Sequence, residues 1–233
     1  MLDMNYLVCC LALLFSILNL YSVKIGNKKL KMATKPFLVP LIFISFALNS
    51  SVIGNRWLLF LIASLYCCGD ILLMFDNKYA FYIGAISFAC GHICFATYFI
   101  LFNFDIVFAF LGLVLYLTHL YFHVKKLKSV KKDIKLELIY SSLIGILFVS
   151  IFGSLKLDLV SFDLFAVVGI ILFVYSDSRI AYSRVKIIEK NDFEIMLTYI
   201  LAIIFLITSS LQLLSLHLLK FNLYSRAFCS EPK

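Results

Sequence analysis

The sequence predicts an all-α fold, a polytopic membrane helix bundle with about eight transmembrane helices. Of its 233 residues, 63% are hydrophobic and only 15% are charged. The mean hydropathy is +1.02. A soluble domain of this size could not cover so much apolar surface with polar side chains. Most of the chain is therefore expected to lie in a bilayer.

Eight apolar stretches approach the length of about 20 residues that a helix needs to span a membrane. In chain order they are Asn5–Val23, Pro36–Val52, Trp57–Phe75, Tyr79–Phe102, Ile106–Phe122, Leu138–Leu155, Leu159–Ser178 and Ile195–Leu219. The first lacks a basic leader and a small-residue cleavage site, so we interpret it as a retained helix and not as a signal peptide. We expect one integral membrane domain over residues 1–233.

The basic residues orient this predicted bundle. Of the 21 Lys and Arg residues, 16 fall in or beside the odd-numbered connections. By the positive-inside rule these connections are cytoplasmic, and both termini face outward. The net charge of +8 then reflects topology and contact with anionic lipid headgroups. A nucleic-acid partner is not expected, because the basic residues are divided among several loops.

Two aspartates, Asp70 and Asp177, interrupt apolar stretches. A charged side chain at the centre of a bilayer costs about 2.5–3.5 kcal/mol on insertion scales, so each needs an explanation. The predicted topology places Asp70 about five residues, or about 8 Å, from the cytoplasmic end of the third helix. It places Ser176 and Asp177 at the same end of the seventh helix. Tyr199 lies early in the eighth helix, and the sequence predicts a polar pocket that opens toward the inner leaflet.

Lys35 and Pro36 open the predicted second helix on that side, where proline is tolerated in the first turn. Each polar residue also has a structural interpretation. Lys35 could be a lysine that snorkels to the interface, and Asp177 a carboxylate wetted by the headgroups. Asp70 could lock helices together by pairing with Lys35 or with a hydroxyl. His92, about 20 Å along the fourth helix, could be a hydrogen-bonded structural histidine or a functional one.

His119 and His123 are spaced i, i+4, which can place two imidazoles on one metal ion. A third ligand would have to be Asp70 or Asp177, and two interfacial histidines are the simpler interpretation. The seven cysteines show no CxxC pair and lie almost entirely within the predicted spans. They are expected to act as small apolar side chains without disulfides.

Five short motifs occur in a fixed order between about Lys35 and Tyr199. They are Lys35-Pro36, Gly69-Asp70-Ile71-Leu72-Leu73-Met74, Gly84-x3-Phe88-x3-His92, Phe173-x2-Ser176-Asp177-Ser178 and Thr198-Tyr199. In this order they resemble the YhhN-like lysoplasmalogenase family of eight-helix membrane proteins. The resemblance implies hydrolysis of the vinyl ether bond of lysoplasmenylethanolamine or lysoplasmenylcholine. The products would be a fatty aldehyde and glycerophosphoethanolamine or glycerophosphocholine.

The implied chemistry gives the two aspartates distinct roles. Vinyl ether hydrolysis starts with protonation of the β-carbon by a neutral acid, and a second, ionised carboxylate can stabilise the resulting oxocarbenium ion. The sequence favours Asp70 as the acid and Asp177 as the stabiliser or base, and the reverse assignment stays open. Lys35 is a candidate phosphate contact, and His92, Ser176 and Tyr199 are further candidate substrate-binding residues.

We expect a lysophospholipid substrate, contact with membrane lipids, no cofactor, and a location in a bacterial inner membrane. Two alternatives remain at this stage. The chain could be a lipid or small-solute transporter with the acids as ion sites, although prolines occur only at Pro36, Pro40 and Pro232. It could also be a zinc-dependent intramembrane lipid hydrolase that uses His119, His123 and an aspartate.

Overall fold

A computed structural model describes residues 2–49, 56–75, 77–102, 104–129, 135–155 and 161–229. These residues form eight α-helices, which confirms the predicted all-α helix bundle. The helices are α1 (Leu2–Lys24), α2 (Lys28–Asn49), α3 (Arg56–Leu72), α4 (Lys78–Phe102), α5 (Ile106–Lys128), α6 (Lys135–Gly153), α7 (Ser161–Arg184) and α8 (Asp192–Cys229).

Within the described ranges, six helices are long and apolar enough to cross a membrane. They are α1, α4, α5, α6, α7 and the Asp192–Ser210 part of α8. The apolar part of α3, Trp57–Leu72, is shorter than these six. Helix α2 carries four lysines in its first eight residues, which lowers its overall apolarity. The protein is a multi-pass integral membrane protein.

Neighbouring helices along the chain pack as antiparallel pairs: α1 with α2, α3 with α4, α5 with α6, and α7 with α8. Helix α4 also packs against α6 and α8, and α2 packs against α3 and α8. Two glycines allow the close approach of α3 and α4. A Cβ at Gly69 would lie 2.6 Å from the Phe88 ring, and one at Gly91 would lie 2.7 Å from the Tyr66 ring. Gly69 and Gly91 therefore let the two helices pack closely.

Helix α2 begins earlier than the hydropathy pattern indicates. Asn27 accepts a hydrogen bond at Oδ1 from the backbone N–H of Leu30 at 3.1 Å, as an N-cap residue does. The expectation that Pro36 stands in the first turn is therefore wrong, because Pro36 and Pro40 both lie inside the helix. Pro40 has no N–H for the carbonyl of Pro36. The Cys67 thiol donates to that carbonyl instead, at 3.2 Å, and ties α3 to α2.

Two helix ends near the aspartates also differ from expectation. Helix α3 ends at Leu72, so Asp70 lies in its last turn and not about five residues from the end. Helix α7 continues past Ser178 to Arg184, so Asp177 lies inside the helix. The extra turns of α7 mix polar and apolar residues, so a search for continuous apolar runs does not detect them. Their arginines form ion pairs with α8 and α6.

Candidate functional site

A cavity of about 110 Å³ opens at the end of the bundle where α2, α4, α6 and α8 begin and α3 and α7 end. We call it the front cavity. It is lined by Lys35, Asp70, Leu73, Phe81, Ala85, Phe88, Leu136, Glu137, Tyr140, Ser176, Asp177, Ile180, Ala181, Arg184, Ile195, Met196 and Tyr199. Five of the six residues singled out from the sequence are among them. A water molecule needs about 10–15 Å³, so the cavity has room for several.

Asp70 is buried, with 1% of its surface exposed, and both of its carboxylate oxygens have partners. Oδ1 lies 3.0 Å from Lys35 Nζ, and Oδ2 accepts a 2.7 Å hydrogen bond from the Tyr199 hydroxyl. Only 12% of the Lys35 side chain is exposed, so this lysine does not snorkel to the interface. The contacts join α2, α3 and α8. Such contacts can lock helices together and can also serve a chemical role.

Asp177 has different surroundings. Its side chain is partly exposed, and its Oδ2 accepts a hydrogen bond from the Tyr140 hydroxyl at 3.0 Å. Within the part of the chain that the structure describes, no cationic side chain forms an ion pair with Asp177. Of the two aspartates in the front cavity, Asp70 is thus held by a lysine and a tyrosine, and Asp177 by a tyrosine.

His92 does not line the front cavity, so the structure does not give it the substrate contact expected from the sequence. It is fully buried behind Tyr140. Its Nε2 lies 3.3 Å from the Tyr140 hydroxyl, and its Nδ1 lies 2.9 Å from the Tyr66 hydroxyl. When Tyr140 donates its proton to Asp177, its oxygen must accept one from His92 Nε2–H. Nδ1 then accepts a hydrogen bond from the Tyr66 hydroxyl. These hydrogen bonds assign the proton of the His92 ring to Nε2.

Ser176 and Tyr199 anchor α8 against α7 and α3. The Ser176 hydroxyl donates to the backbone carbonyl of Ile195 at 3.0 Å. This bond joins α7 to the first turns of α8, the helix that carries Tyr199 to Asp70. Ser176 lines the cavity while its proton is engaged in a helix contact.

Three further polar lining residues were not singled out from the sequence: Tyr140, Glu137 and Arg184. Arg184 lies 3.5 Å from Glu137 between Nη1 and Oε1, and its guanidinium lies 3.7 Å from the centre of the Phe81 ring. Glu137 and Tyr140 are three residues apart on the first turns of α6, a spacing that places them on one helix face. This spacing is the feature of the sequence from which Glu137 and Tyr140 could have been predicted to act together. Arg184 was assigned to a loop because α7 was expected to end at Ser178.

His119 and His123 lie beside α7 and contact side chains there. His119 Nε2 is 3.5 Å from Ser178 Oγ, and His123 Nδ1 is 3.0 Å from the Tyr182 hydroxyl. Among the described residues, no group of three or more His, Cys, Asp or Glu side chains is arranged to hold a metal ion. Among the described residues, no cysteine side chain forms a disulfide.

Fold and site together define a membrane-embedded helix bundle with two aspartates, Asp70 and Asp177, in a cavity at one end. The family model described as the YhhN family matches residues 30–211, and the chain belongs to this family. The resemblance drawn from the five motifs is thereby confirmed. The matched region includes all six residues singled out from the sequence. Comparisons with curated proteins and with solved structures found no match.

Proposed function

We propose that this protein hydrolyses the vinyl ether bond of lysoplasmalogens within the membrane. Membership of the YhhN family supports a hydrolase of this kind. The observation that carries the proposal is the pair of carboxylates with unlike partners in one cavity. Asp70 is held by Lys35 and Tyr199, and Asp177 is held by Tyr140.

The contacts favour Asp177 as the acid and Asp70 as the stabilising anion. A neighbouring cation and a donated hydrogen bond both favour the ionised form of a carboxyl group, and Asp70 has one of each. Asp177 has no ion pair among the described residues and accepts one hydrogen bond, from Tyr140, so its ionised form is stabilised less than that of Asp70. This assignment reverses the one that the sequence favoured. The reversal follows from the ion pair with Lys35, which the sequence offered only as one alternative.

In the proposed reaction, Asp177 gives the first proton and later recovers one from water, so that it ends in its starting state. Asp177 gives its proton to the β-carbon of the vinyl ether, and positive charge develops on the α-carbon and the ether oxygen. The Asp70 carboxylate stabilises this oxocarbenium ion. Water adds to the α-carbon and returns a proton to Asp177, which leaves a hemiacetal. The bond between the hemiacetal carbon and the glycerol oxygen then breaks, the hemiacetal hydroxyl loses its proton, and the glycerol oxygen gains one. The fatty aldehyde and the glycerophospho headgroup are released.

His92 and Tyr140 act on Asp177 as positioning residues. Tyr140 donates to the Asp177 carboxylate, and His92 holds Tyr140 from the buried side. The chain of hydrogen bonds from Tyr66 through His92 fixes the direction in which the Tyr140 hydroxyl points. Tyr140 therefore keeps the carboxyl oriented toward the front cavity while its proton leaves and returns.

The substrate lies with its single chain among the apolar helices and its headgroup at the wet end of the cavity. Lys35 was the expected phosphate contact, but its amine is engaged by Asp70. Arg184 also lines the cavity, and 39% of its side chain is exposed, against 12% for Lys35. Its contact with Glu137 through Nη1 is longer, at 3.5 Å, than the 3.0 Å contact between Lys35 and Asp70. We assign the phosphate contact to Arg184 for this reason. The lipid substrate and the basic loops suit an inner membrane of a bacterium, with the cavity facing the inner leaflet.

The test is a panel of lysolipids that differ only in the bond at the first glycerol carbon. Purified protein in detergent is incubated with 1-alkenyl, 1-acyl and 1-alkyl lysophosphatidylethanolamine, and aldehyde release is measured. The proposal expects aldehyde from the 1-alkenyl lipid alone. Fatty acid from the 1-acyl lipid would indicate an esterase. Absence of turnover together with lipid or solute movement in proteoliposomes would favour the transporter.

A further inference from the structure

A second, smaller cavity of about 40 Å³ adjoins the front cavity, and we call it the rear cavity. Four residues line both cavities and form the wall between them: Glu137, Tyr140, Asp177 and Ala181. The remaining lining comes from Tyr116, His119, His123, Ser141, Ile144, Val174 and Ser178. The Asp177 side chain thus has access to two separate spaces.

His123 lines the rear cavity and has a buried ring nitrogen without a hydrogen-bond partner among the described residues. His123 is 3% exposed, and its Nδ1 is satisfied by Tyr182. Its Nε2 has no hydrogen-bond partner among the described residues. A buried polar group left unpaired costs about 1–3 kcal/mol, so a bound partner in the cavity is favoured. His119 and Ser178 add further polar atoms to the lining, and their mutual contact is long at 3.5 Å.

The size and lining of the rear cavity suit water. A buried water needs about 10–15 Å³ and two to four polar partners. A cavity of about 40 Å³ therefore has room for at least one water molecule. The imidazoles, hydroxyls and carboxylates along its wall can donate to them and accept from them.

We infer that the rear cavity is a water-binding site that supplies the second substrate of the hydrolysis to Asp177. This inference rests on the proposed function. When a lipid occupies the front cavity, its chain and headgroup exclude bulk water from the reacting carbons. After Asp177 has given its proton to the β-carbon, the new carboxylate accepts a hydrogen bond from a water in the rear cavity. That water adds its oxygen to the α-carbon and its proton returns to Asp177.

A larger side chain that fills the rear cavity should exclude its water. The protonation step can then be observed without the water addition that normally follows it. If water is withheld, the oxocarbenium ion loses a β-proton and reverts to the vinyl ether. In D2O this reversal incorporates deuterium at the β-carbon of substrate that has not been cleaved. A merely structural defect lowers the rate without producing this label.

Two variants fill the rear cavity from different helices, Ser178→Leu on α7 and Ile144→Phe on α6. Ser142→Leu is the matched control, because Ser142 lies on an exposed face of α6 outside both cavities. The inference expects a lower kcat and deuterated recovered substrate for both filling variants. The wild type and Ser142→Leu should return unlabelled substrate. Unlabelled substrate from both folded filling variants, with normal kcat, would overturn the supply of water by this route.

Water in the rear cavity can be detected without turnover. Brief X-ray irradiation generates hydroxyl radicals from bound water, and mass spectrometry then locates oxidised side chains. We expect oxidation at His119 and His123 in the wild type and its loss in Ser178→Leu. Unoxidised histidines in the wild type would show a dry cavity and overturn the inference. Oxidised histidines in a protein that releases no aldehyde would retain the water site but reject both the proposed function and the supply role.

Discussion

Replacement of Lys35 by methionine tests whether the pair with Asp70 is a buried ion pair. The amine lies 3.0 Å from Asp70 Oδ1, and the two side chains are 12% and 2% exposed. Removal of one partner of a buried pair typically costs about 3–5 kcal/mol, because the other charge is left uncompensated. Lys35→Met leaves Asp70 with only the Tyr199 hydroxyl as a partner. We expect a loss of stability in this range, together with a lower kcat.

The chain offers a matched control for this loss. Lys31 lies one turn earlier on α2 and pairs with Asp192 at 3.9 Å, with side chains 31% and 41% exposed. Exposed pairs of this kind contribute about 1 kcal/mol or less, so Lys31→Met should have little effect. A second-site change also distinguishes the cause. Adding Asp70→Asn to Lys35→Met removes the stranded charge and should recover much of the stability without restoring activity.

The assay is thermal and denaturant unfolding of the purified variants in one detergent, with aldehyde release measured on the folded fraction. Equal stability of Lys35→Met and Lys31→Met would refute the buried ion pair. A double variant less stable than Lys35→Met would refute the argument from an uncompensated charge. In either case the assignment of Asp70 as the ionised carboxylate would lose its basis.

Three further predictions follow from the site and the charge pattern. Tyr140→Phe removes the donor to Asp177, so kcat should fall with little change in KM, and a rise in KM alone would contradict a positioning role. A chelator should leave aldehyde release unchanged if the carboxylates do the proton chemistry, whereas loss with chelator and recovery with zinc would favour the zinc hydrolase. A reporter fused after Lys233 should be extracytoplasmic, and a cytoplasmic reporter would invert the predicted sidedness.

The number of helices could be predicted from the sequence. The sequence also predicted that polar residues from several helices lie together at one end of the bundle. Apolar length locates helices in a membrane protein because the bilayer sets the length of a span. Because successive helices cross the membrane in opposite directions, the start of α8 lies on the same side of the membrane as the ends of α3 and α7. This reasoning brought Tyr199, Asp70 and Asp177 to one layer, and all three line the front cavity.

The helix ends and the pairing of the polar groups could not be predicted in the same way. A hydropathy pattern treats the lysines before Pro36 as a loop, but the backbone there is capped by Asn27 and is helical. The contact between His92 and Tyr140 depends on how α4 and α6 are rotated about their axes. A helix that is apolar on all sides carries no periodic signal of that rotation. The unlike partners of the two aspartates were therefore visible only in the structure.

The most direct test of the central claim compares wild type with Asp177→Asn on 1-alkenyl lysophosphatidylethanolamine. The amide keeps the shape of a protonated acid but has no proton to transfer, and no ion pair among the described residues is broken. We predict a fall in aldehyde release of about 10²–10⁴-fold per folded molecule, with an unchanged unfolding temperature. Normal turnover per folded molecule at a lowered unfolding temperature would contradict the claim, because Asp177 would then hold the bundle together without taking part in the reaction.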